Sequence, residues 1–180
     1  METEQQLIEA IQGGDKQAMR RLYDRFSGYT MATALRYIPD REMAKDVVQD
    51  CFVSILTTID GFEYRGEGSL RAWITRIVSN QAVDWVKRHE QHTFTDEIPQ
   101  MADEEPPDVE AVSPDILNGM ISHLPAGYRL VLNLHVFERL SHKEIAFRLG
   151  IKESTSASQF FHAKQLLAEM ITRYLNARKI

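Results

Sequence analysis

A short acidic segment at residues 93–115 limits how this chain can fold more than any other feature. It holds eight Asp and Glu residues, no Lys or Arg, and four of the six prolines of the chain. Proline lacks the amide hydrogen that helices and central strands need, and closely spaced like charges resist burial. We therefore expect a linker between two compact units. The alternative is a long loop folded onto one domain, although structureless loops of this length are uncommon inside compact domains.

The same segment changes the meaning of the net charge. The 180 residues carry a formal net charge of -5, which taken alone argues against binding to nucleic acid. Residues 93–115 contribute -8 to this charge, whereas residues 116–180, with nine basic and four acidic side chains, contribute +5. The acidity therefore belongs to the linker, and the C-terminal unit is basic enough to approach phosphate groups.

Several functional classes find no support in the residues. No apolar run reaches the roughly 18 residues of a membrane span, and the N-terminus is too polar for a secretory signal, so we expect a cytoplasmic protein that is not a membrane protein. Cys51 stands at core spacing and reads as a small buried hydrophobe. The pair His89 and His92 has no third ligand, which favours a solvated helix end over a metal site. We recognise no triad, phosphate-binding loop or paired carboxylates, and therefore expect no catalytic residue, metal, cofactor or small-molecule substrate.

Both units are predicted to be helical. After Asp15 a long helix runs to about Pro39, Asp40 caps the next, and Ser69 caps a third behind the loop 61–68. Helical spacing predicts that one stripe of the third helix is core, formed by Leu70, Trp73, Ile74, Ile77, Val78, Ala82 and Trp85.

The opposite face of that helix is predicted to be an exposed polar ridge. Its members follow at steps of three and four residues, with one further cation close by: Arg76, Asn80, Val83, Asp84, Lys87 and Arg88. Beside it, the loop carries Phe62 and Tyr64. An unpaired base could stack on an aromatic ring there while cations hold its backbone. A solvated polar face is the alternative.

The helix after Asp40 carries apolar residues on more than one line, so one face can be core and another can meet a partner. Asp46, Gln49, Asp50 and Val53 form its exposed edge, which is acidic and partly apolar. Such a strip suits a basic helix of another protein.

The C-terminal unit carries a more specific pattern. A helix begins at Ser113-Pro114, a second follows Leu124-Pro125, and Ser141 with Glu144 has the form of a capping box. The short helix that follows ends at Gly150, and a long helix starts near Glu153. This is a helix-turn-helix arrangement, whose second helix enters the DNA major groove. The prospective readers are Ala157, Ser158, Phe161 and His162, with Lys164 and Gln165 further along. Because His123 and His135 lie beside apolar stripes, we interpret them as packing residues.

Two sets of motifs resemble conserved regions of one family. Residues 44–52 (AKDVVQDCF) followed by 68–85 (GSLRAWITRIVSNQAVDW) resemble the second conserved region of bacterial extracytoplasmic-function sigma factors of the sigma-70 family. Leu124-Pro125, residues 140–146 (LSHKEIA), 149–151 (LGI) and 162–164 (HAK) resemble the fourth. The resemblance implies an all-α fold of two small helical domains joined by the acidic, proline-containing linker, the second being a four-helix helix-turn-helix domain.

The resemblance also implies a function. A transcription initiation factor of this kind binds core RNA polymerase, directs it to promoters and nucleates melting of the minus-10 element. Residues 1–92 would serve the polymerase and the minus-10 element, 93–115 would be the linker running toward the RNA exit path, and 116–180 would read the minus-35 element. An anti-sigma factor is the further partner that the family implies.

Site residues carry over by motif match. The polymerase clamp helices would contact Asp46, Val47, Gln49, Asp50, Phe52 and Val53. The loop and Asn80 would surround a base flipped from the non-template strand, and the minus-10 contacts would be Phe62, Tyr64, Arg76, Asn80, Val83, Asp84, Lys87 and Arg88. The minus-35 contacts would be Ser154, Thr155, Ala157, Ser158, Phe161, His162 and Lys164.

The final helix departs from the family pattern, which usually begins with Gly-Thr-Val and carries several arginines. Here His162 and Lys164 stand where two arginines are common, so we expect fewer phosphate contacts and weaker guanine readout. Ser158, Phe161 and His162 could instead read thymine methyls and adenine edges. Two other functions stay open: a dimeric helix-turn-helix repressor, which leaves the N-terminal unit without a role, and a polymerase-binding adaptor without promoter reading, which leaves the helix-turn-helix unexplained.

Overall fold

The structure is a computed structural model that describes residues 2–90, 94 and 107–178. The chain divides into two compact units, Met1–Arg88 and His89–Ile180. Every regular element within the described residues is helical, which confirms the predicted all-α fold. Most of the predicted linker, residues 93 and 95–106, lies outside the described residues. Its last part contains a short 3-10 turn, Val109–Ala111, in which the Asp108 side chain accepts a hydrogen bond from the Glu110 amide.

The first unit contains four helices: α1 (Glu4–Gln12), α2 (Lys16–Tyr37), α3 (Arg41–Thr58) and α4 (Ser69–His89), whose last residue falls at the unit boundary. A 3-10 turn, Ile59–Gly61, follows α3. The predicted cap at Asp40 is confirmed, because its carboxylate accepts hydrogen bonds from the amides of Glu42 and Met43 at 2.9 and 3.0 Å. The sequence analysis did not predict α1, which has a capping box of its own formed by Thr3 and Gln6.

The core of the first unit lies on the inward stripes of these helices. Its fully buried members include Leu7, Ile11, Leu22, Tyr37, Ile55, Leu70 and Ile74. On α4 the predicted stripe is only partly buried, because Trp73, Ile77 and Trp85 remain partly exposed.

The second unit contains α5 (Pro114–Ser122), α6 (Ala126–Val136), α7 (His142–Leu149) and α8 (Glu153–Ala177). The predicted capping box is confirmed: the Ser141 hydroxyl accepts from the Glu144 amide at 3.3 Å, and the Glu144 carboxylate accepts from the Ser141 amide at 2.8 Å. Gly150 ends α7 with φ of 70°, a left-handed conformation that glycine adopts without a Cβ clash. The turn it makes sends the chain into α8, as the helix-turn-helix pattern predicts.

Phe160, Leu167 and Met170 of α8 pack against a buried cluster that contains Ile121 and Leu132. None of the helices in the described portion combines the length and apolar character needed to cross a bilayer.

Candidate nucleic-acid interface

An open pocket of about 600 Å³ lies in the first unit, where the loop after the 3-10 turn meets the first turns of α4. Pockets of this size hold small organic groups. Its lining residues are Gly61, Phe62, Glu63, Arg65, Ser69, Ala72, Trp73 and Arg76. The structure therefore brings together the loop and the helix that the sequence predicted to be neighbours.

Two aromatic rings belong to the pocket lining. The ring centroids of Phe62 and Trp73 lie 4.9 Å apart with 42° between their planes, and both residues are partly exposed. Arg76 follows Trp73 by three residues, so it lies on the same side of α4 and is exposed. Aromatic surfaces beside a guanidinium suit an unpaired base and its phosphate. The sequence analysis missed Trp73 as a site residue because helical spacing placed it on the core stripe.

The loop backbone is held in a specific shape. Gly68 has φ of 86°, which residues with a Cβ rarely adopt, and the Ser69 hydroxyl accepts a hydrogen bond from the Arg65 amide at 3.2 Å. The Tyr64 hydroxyl lies 3.5 Å from a carboxylate oxygen of Glu67. Burial raises the pKa of Tyr64, and the charge of Glu67 adds to this effect. Tyr64 does not line the pocket, so Phe62 is the loop aromatic that reaches it.

The predicted ridge of α4 is mostly exposed. Its exposed members are Arg76, Asn80, Asp84, Lys87 and Arg88. Val83 is only 1% exposed, so its predicted place on the ridge is wrong: the buried arc of α4 is wider than one stripe, and it takes in this apolar side chain. Asn80 lies one turn beyond Arg76 but does not line the pocket.

The acidic edge of α3 is exposed as predicted. Asp46, Gln49 and Asp50 reach solvent, and Val53 is 63% exposed. The edge therefore offers one apolar side chain among polar ones, the composition of an interface with a polar rim.

Two predicted contact residues of α3 do not share this surface. Val47 and Phe52 are each 5% exposed, so the prediction that they contact a partner directly is wrong; their side chains are taken up by the core. The Phe52 ring packs against Tyr23, with centroids 4.7 Å apart. Tyr23 is 49% exposed. The sequence analysis did not predict it as a contact residue, because it assigned only the ends of that helix.

Cys51 is buried, as predicted. Its thiol donates to the side-chain oxygen of Gln81 at 3.2 Å, and burial, reinforced by the charge of Asp50, raises its pKa to about 12. At neutral pH the group is a thiol rather than a nucleophilic thiolate.

The first turns of α8 present Ser154, Ala157 and Lys164 to solvent, with Phe161 and His162 partly exposed. The Lys164 ammonium lies 4.9 Å from the centre of the Phe160 ring, a cation–π contact. Among the predicted readers, the accessible ones are therefore Ser154, Ala157, the rings of Phe161 and His162, and the cation Lys164.

Thr155 and Ser158 were predicted on this face, but the structure buries them, with 6% and 1% exposure, so that position is wrong. The Ser158 hydroxyl donates to the carbonyl oxygen of Thr155 at 3.1 Å. This bond satisfies a polar group that is away from water.

A pair of stacked histidines joins three helices of the second unit. The rings of His135 and His142 are 4.5 Å apart and nearly parallel, and Nδ1 of His142 lies 2.9 Å from the Ser156 hydroxyl of α8. Burial lowers the pKa of His142, the neighbouring His135 and Lys164 lower it further, and Glu153 opposes them. Nδ1 of His135 lies 2.8 Å from the Leu140 carbonyl oxygen, in agreement with the predicted packing role.

His123 is exposed, so its predicted packing role is wrong, although its Nδ1 lies 2.7 Å from the carbonyl oxygen of Gly119. His89 is exposed and His92 lies outside the described residues. The described part of the chain contains no group of three or more side chains placed to hold a metal ion.

Both units are similar to known protein families. The family model for Sigma-70 region 2 matches residues 22–92, and that for Sigma-70, region 4 matches residues 115–167. Together the two models match more than half of the chain.

Similar proteins span nearly the whole length. The ECF RNA polymerase sigma-E factor of Haemophilus influenzae is 27% identical, over 94% of this chain and 95% of that protein. The RNA polymerase sigma-H factor of Pseudomonas aeruginosa is also 27% identical, over 92% of each. Among solved structures, CnrH in complex with the cytosolic domain of CnrY is 24% identical, with a TM-score of 0.49 over 93% of this chain and 96% of that one.

Proposed function

The chain belongs to the extracytoplasmic-function group of the sigma-70 family and is a promoter-directing transcription initiation factor, and we propose that its pocket beside α4 receives an unpaired base of the minus-10 element. Family membership confirms the resemblance drawn from the sequence, and with it a non-enzymatic protein whose partners are core RNA polymerase and promoter DNA. Family membership favours this function over the two alternatives, a dimeric repressor and a polymerase-binding adaptor.

The juxtaposition of Phe62 and Trp73 in the pocket is the observation that carries the proposal. Extruding a base from the duplex costs a few kcal/mol. Stacking one base on an aromatic side chain returns about 1–3 kcal/mol. A pocket that already holds its rings in place can thus offset most of the cost, and Arg76 at its edge can hold the adjoining phosphate.

The exposed edge of α3 is the proposed contact for the polymerase. Asp46, Gln49 and Asp50 supply acceptors and negative charge, while Val53 supplies the apolar centre, with Tyr23 of α2 as an added candidate. Interfaces of this composition, with an apolar point inside a polar rim, suit a basic helix.

The accessible face of α8 is the proposed reader of the minus-35 element. Ser154, Ala157 and Lys164 are exposed and Phe161 and His162 are partly exposed, which leaves Phe161 as the apolar group for a thymine methyl. With few cations on this face, base contacts rather than phosphate contacts would set its affinity.

The remaining assignments follow from the family. We assign residues 1–92 to the polymerase and the minus-10 element, 93–115 to the connection, and 116–180 to the minus-35 element. The protein would act in the cytoplasm, where polymerase and promoters are. An anti-sigma factor is the proposed regulatory partner, and co-purification of the tagged chain from its host, followed by a test of transcription inhibition by the captured protein, checks this assignment.

Substitution of Trp73 tests the pocket. Trp73→Leu keeps apolar bulk but lacks a flat π surface, whereas Trp73→Phe keeps one. In holoenzyme, Trp73→Leu should reduce open complexes on a dependent promoter by about tenfold, and Trp73→Phe by much less. Phe147→Ala removes a ring that is 93% exposed on α7 and serves as the control. Equal opening by Trp73→Leu and wild type, at equal polymerase occupancy, contradicts the proposal.

A further inference from the structure

Two polar side chains at opposite ends of α1 hold the two ends of the pocket loop. Glu4 is the first residue of the helix and Gln12 is the last. α1 precedes the segment that the family model matches, which begins at residue 22.

Glu4 caps α4 from a distance of 64 residues along the chain. It is only 4% exposed, and its Oε2 accepts hydrogen bonds from the amides of Gly68 at 2.9 Å and Leu70 at 3.4 Å. The first amides of a helix have no partner within the helix, and a carboxylate there also meets the positive end of the helix dipole. Gly68, at the start of α4, has no side chain that could serve, so Glu4 supplies the missing cap.

Gln12 fixes the other end of the loop. Its side-chain amide donates to the carbonyl oxygens of Ile59 at 3.0 Å and Phe62 at 3.2 Å. Ile59 begins the 3-10 turn, and Phe62 is the aromatic residue of the pocket. One side chain thus ties the turn to the residue that follows it.

The helix between these side chains acts as a spacer of fixed length. From Glu4 to Gln12 the helix rises about 12 Å along its axis. The loop from Phe62 to Gly68 could extend to about 20 Å, so the helix limits how far apart the loop ends can move. The apolar face of α1, formed by Leu7, Ile8 and Ile11, is at most 2% exposed, which anchors the spacer in the core.

We propose that Glu4 and Gln12 are positioning residues for the pocket: they fix the separation of the loop ends and thereby the placement of Phe62 relative to Trp73. The proposal rests on the proposed role of the pocket in receiving a minus-10 base. The two residues act through the loop and do not contact DNA themselves.

The first measurement is site-resolved hydrogen exchange on the full free chain. Loss of a helix cap should make the Gly68 and Leu70 amides exchange about threefold to thirtyfold faster in Glu4→Ala. Glu4→Gln keeps an acceptor oxygen and should restore most of the protection. Glu9→Ala is the matched control, since Glu9 is an exposed glutamate of the same helix whose carboxylate accepts from the Gln5 side chain, away from the loop.

The second measurement is promoter discrimination by holoenzyme. Open complexes are compared on a dependent promoter and on versions with each other base at the most sensitive minus-10 position. Glu4→Ala and Gln12→Ala should lower the ratio of matched to substituted opening at least about threefold, because the choice of a flipped base depends on the shape of the pocket that receives it. Gln5→Ala is the control for Gln12→Ala. A variant that is merely less stable would lose opening on all promoters alike.

The outcomes separate the two proposals. Faster exchange together with a lower ratio supports the positioning role. If Glu4→Ala leaves the exchange unchanged, or if Glu4→Ala and Gln12→Ala leave the ratio unchanged while Trp73→Leu lowers it, the positioning role is refuted and the pocket stands. If Trp73→Leu leaves the ratio unchanged, the pocket itself is refuted, and the positioning role with it.

Discussion

Val53 offers a quantitative test of the polymerase surface. Its side chain is 63% exposed on the acidic edge of α3, so it has apolar area to lose to a partner. Val53→Ala removes two methyl groups, each worth about 0.8 kcal/mol when buried. Scaled by the exposed fraction, the loss is about 1 kcal/mol, or a fivefold weaker Kd for core polymerase.

The assay is the fluorescence anisotropy of labelled chain titrated with core polymerase. The free chain should keep its urea-unfolding midpoint, because exposed substitutions change stability by less than about 0.5 kcal/mol. Val53→Thr keeps the shape of the side chain but replaces one methyl group with a hydroxyl, so it tests the apolar contact alone. Gln5→Ala on α1 is the control for a substitution at an exposed position. If Val53→Ala and Val53→Thr both bind polymerase like wild type, Val53 lies outside the interface and the assignment of this face is wrong.

Three further predictions concern other surfaces. Asp50→Arg should weaken polymerase binding by about tenfold through charge reversal, whereas Asn80→Ala should bind polymerase normally and form fewer open complexes; the reverse pattern in anisotropy and run-off assays contradicts the division of labour. Phe161→Ala should relax discrimination at one minus-35 base pair by about 1 kcal/mol, the value of one buried methyl contact, and an unchanged base-by-base profile removes Phe161 from the readers. Because the pKa of His142 is lowered in the folded chain, the unfolded chain binds more protons just below the ordinary value of 6.5. Stability should therefore fall as pH falls through that window, and His142→Asn should fall less between about pH 7.5 and 5.5; equal losses in urea unfolding contradict this account.

Local signals in the sequence predicted several helix ends, but the predicted cap at Ser69 is wrong, because Ser69 is the first residue of α4 and its hydroxyl accepts from the Arg65 amide outside the helix. The caps at Asp40, Ser141 and Gly150 involve backbone groups only a few residues away. Their roles can therefore be predicted from the adjacent sequence. The loop beside α4 and the helix-turn-helix followed from the same kind of evidence.

Tertiary contacts explain what the sequence analysis missed. The role of Glu4 depends on amides 64 and 66 residues away, and no local pattern marks such a pairing. Trp73 has the spacing of a core residue, yet its ring is partly exposed and lines the pocket. Val83 and Ser158 were predicted to be exposed but are buried. Helical spacing gives the direction of a side chain but not which residues cover it.

Photocrosslinking tests the central claim most directly. Iodouracil is placed at each position of the minus-10 element in turn, on either strand, in promoter complexes of the holoenzyme. The account predicts that one non-template position crosslinks to the peptide containing Phe62 or Trp73, and that Trp73→Leu reduces this crosslink. Crosslinks that map only to other parts of the chain, or equally from both strands, would contradict a pocket that receives the extruded base.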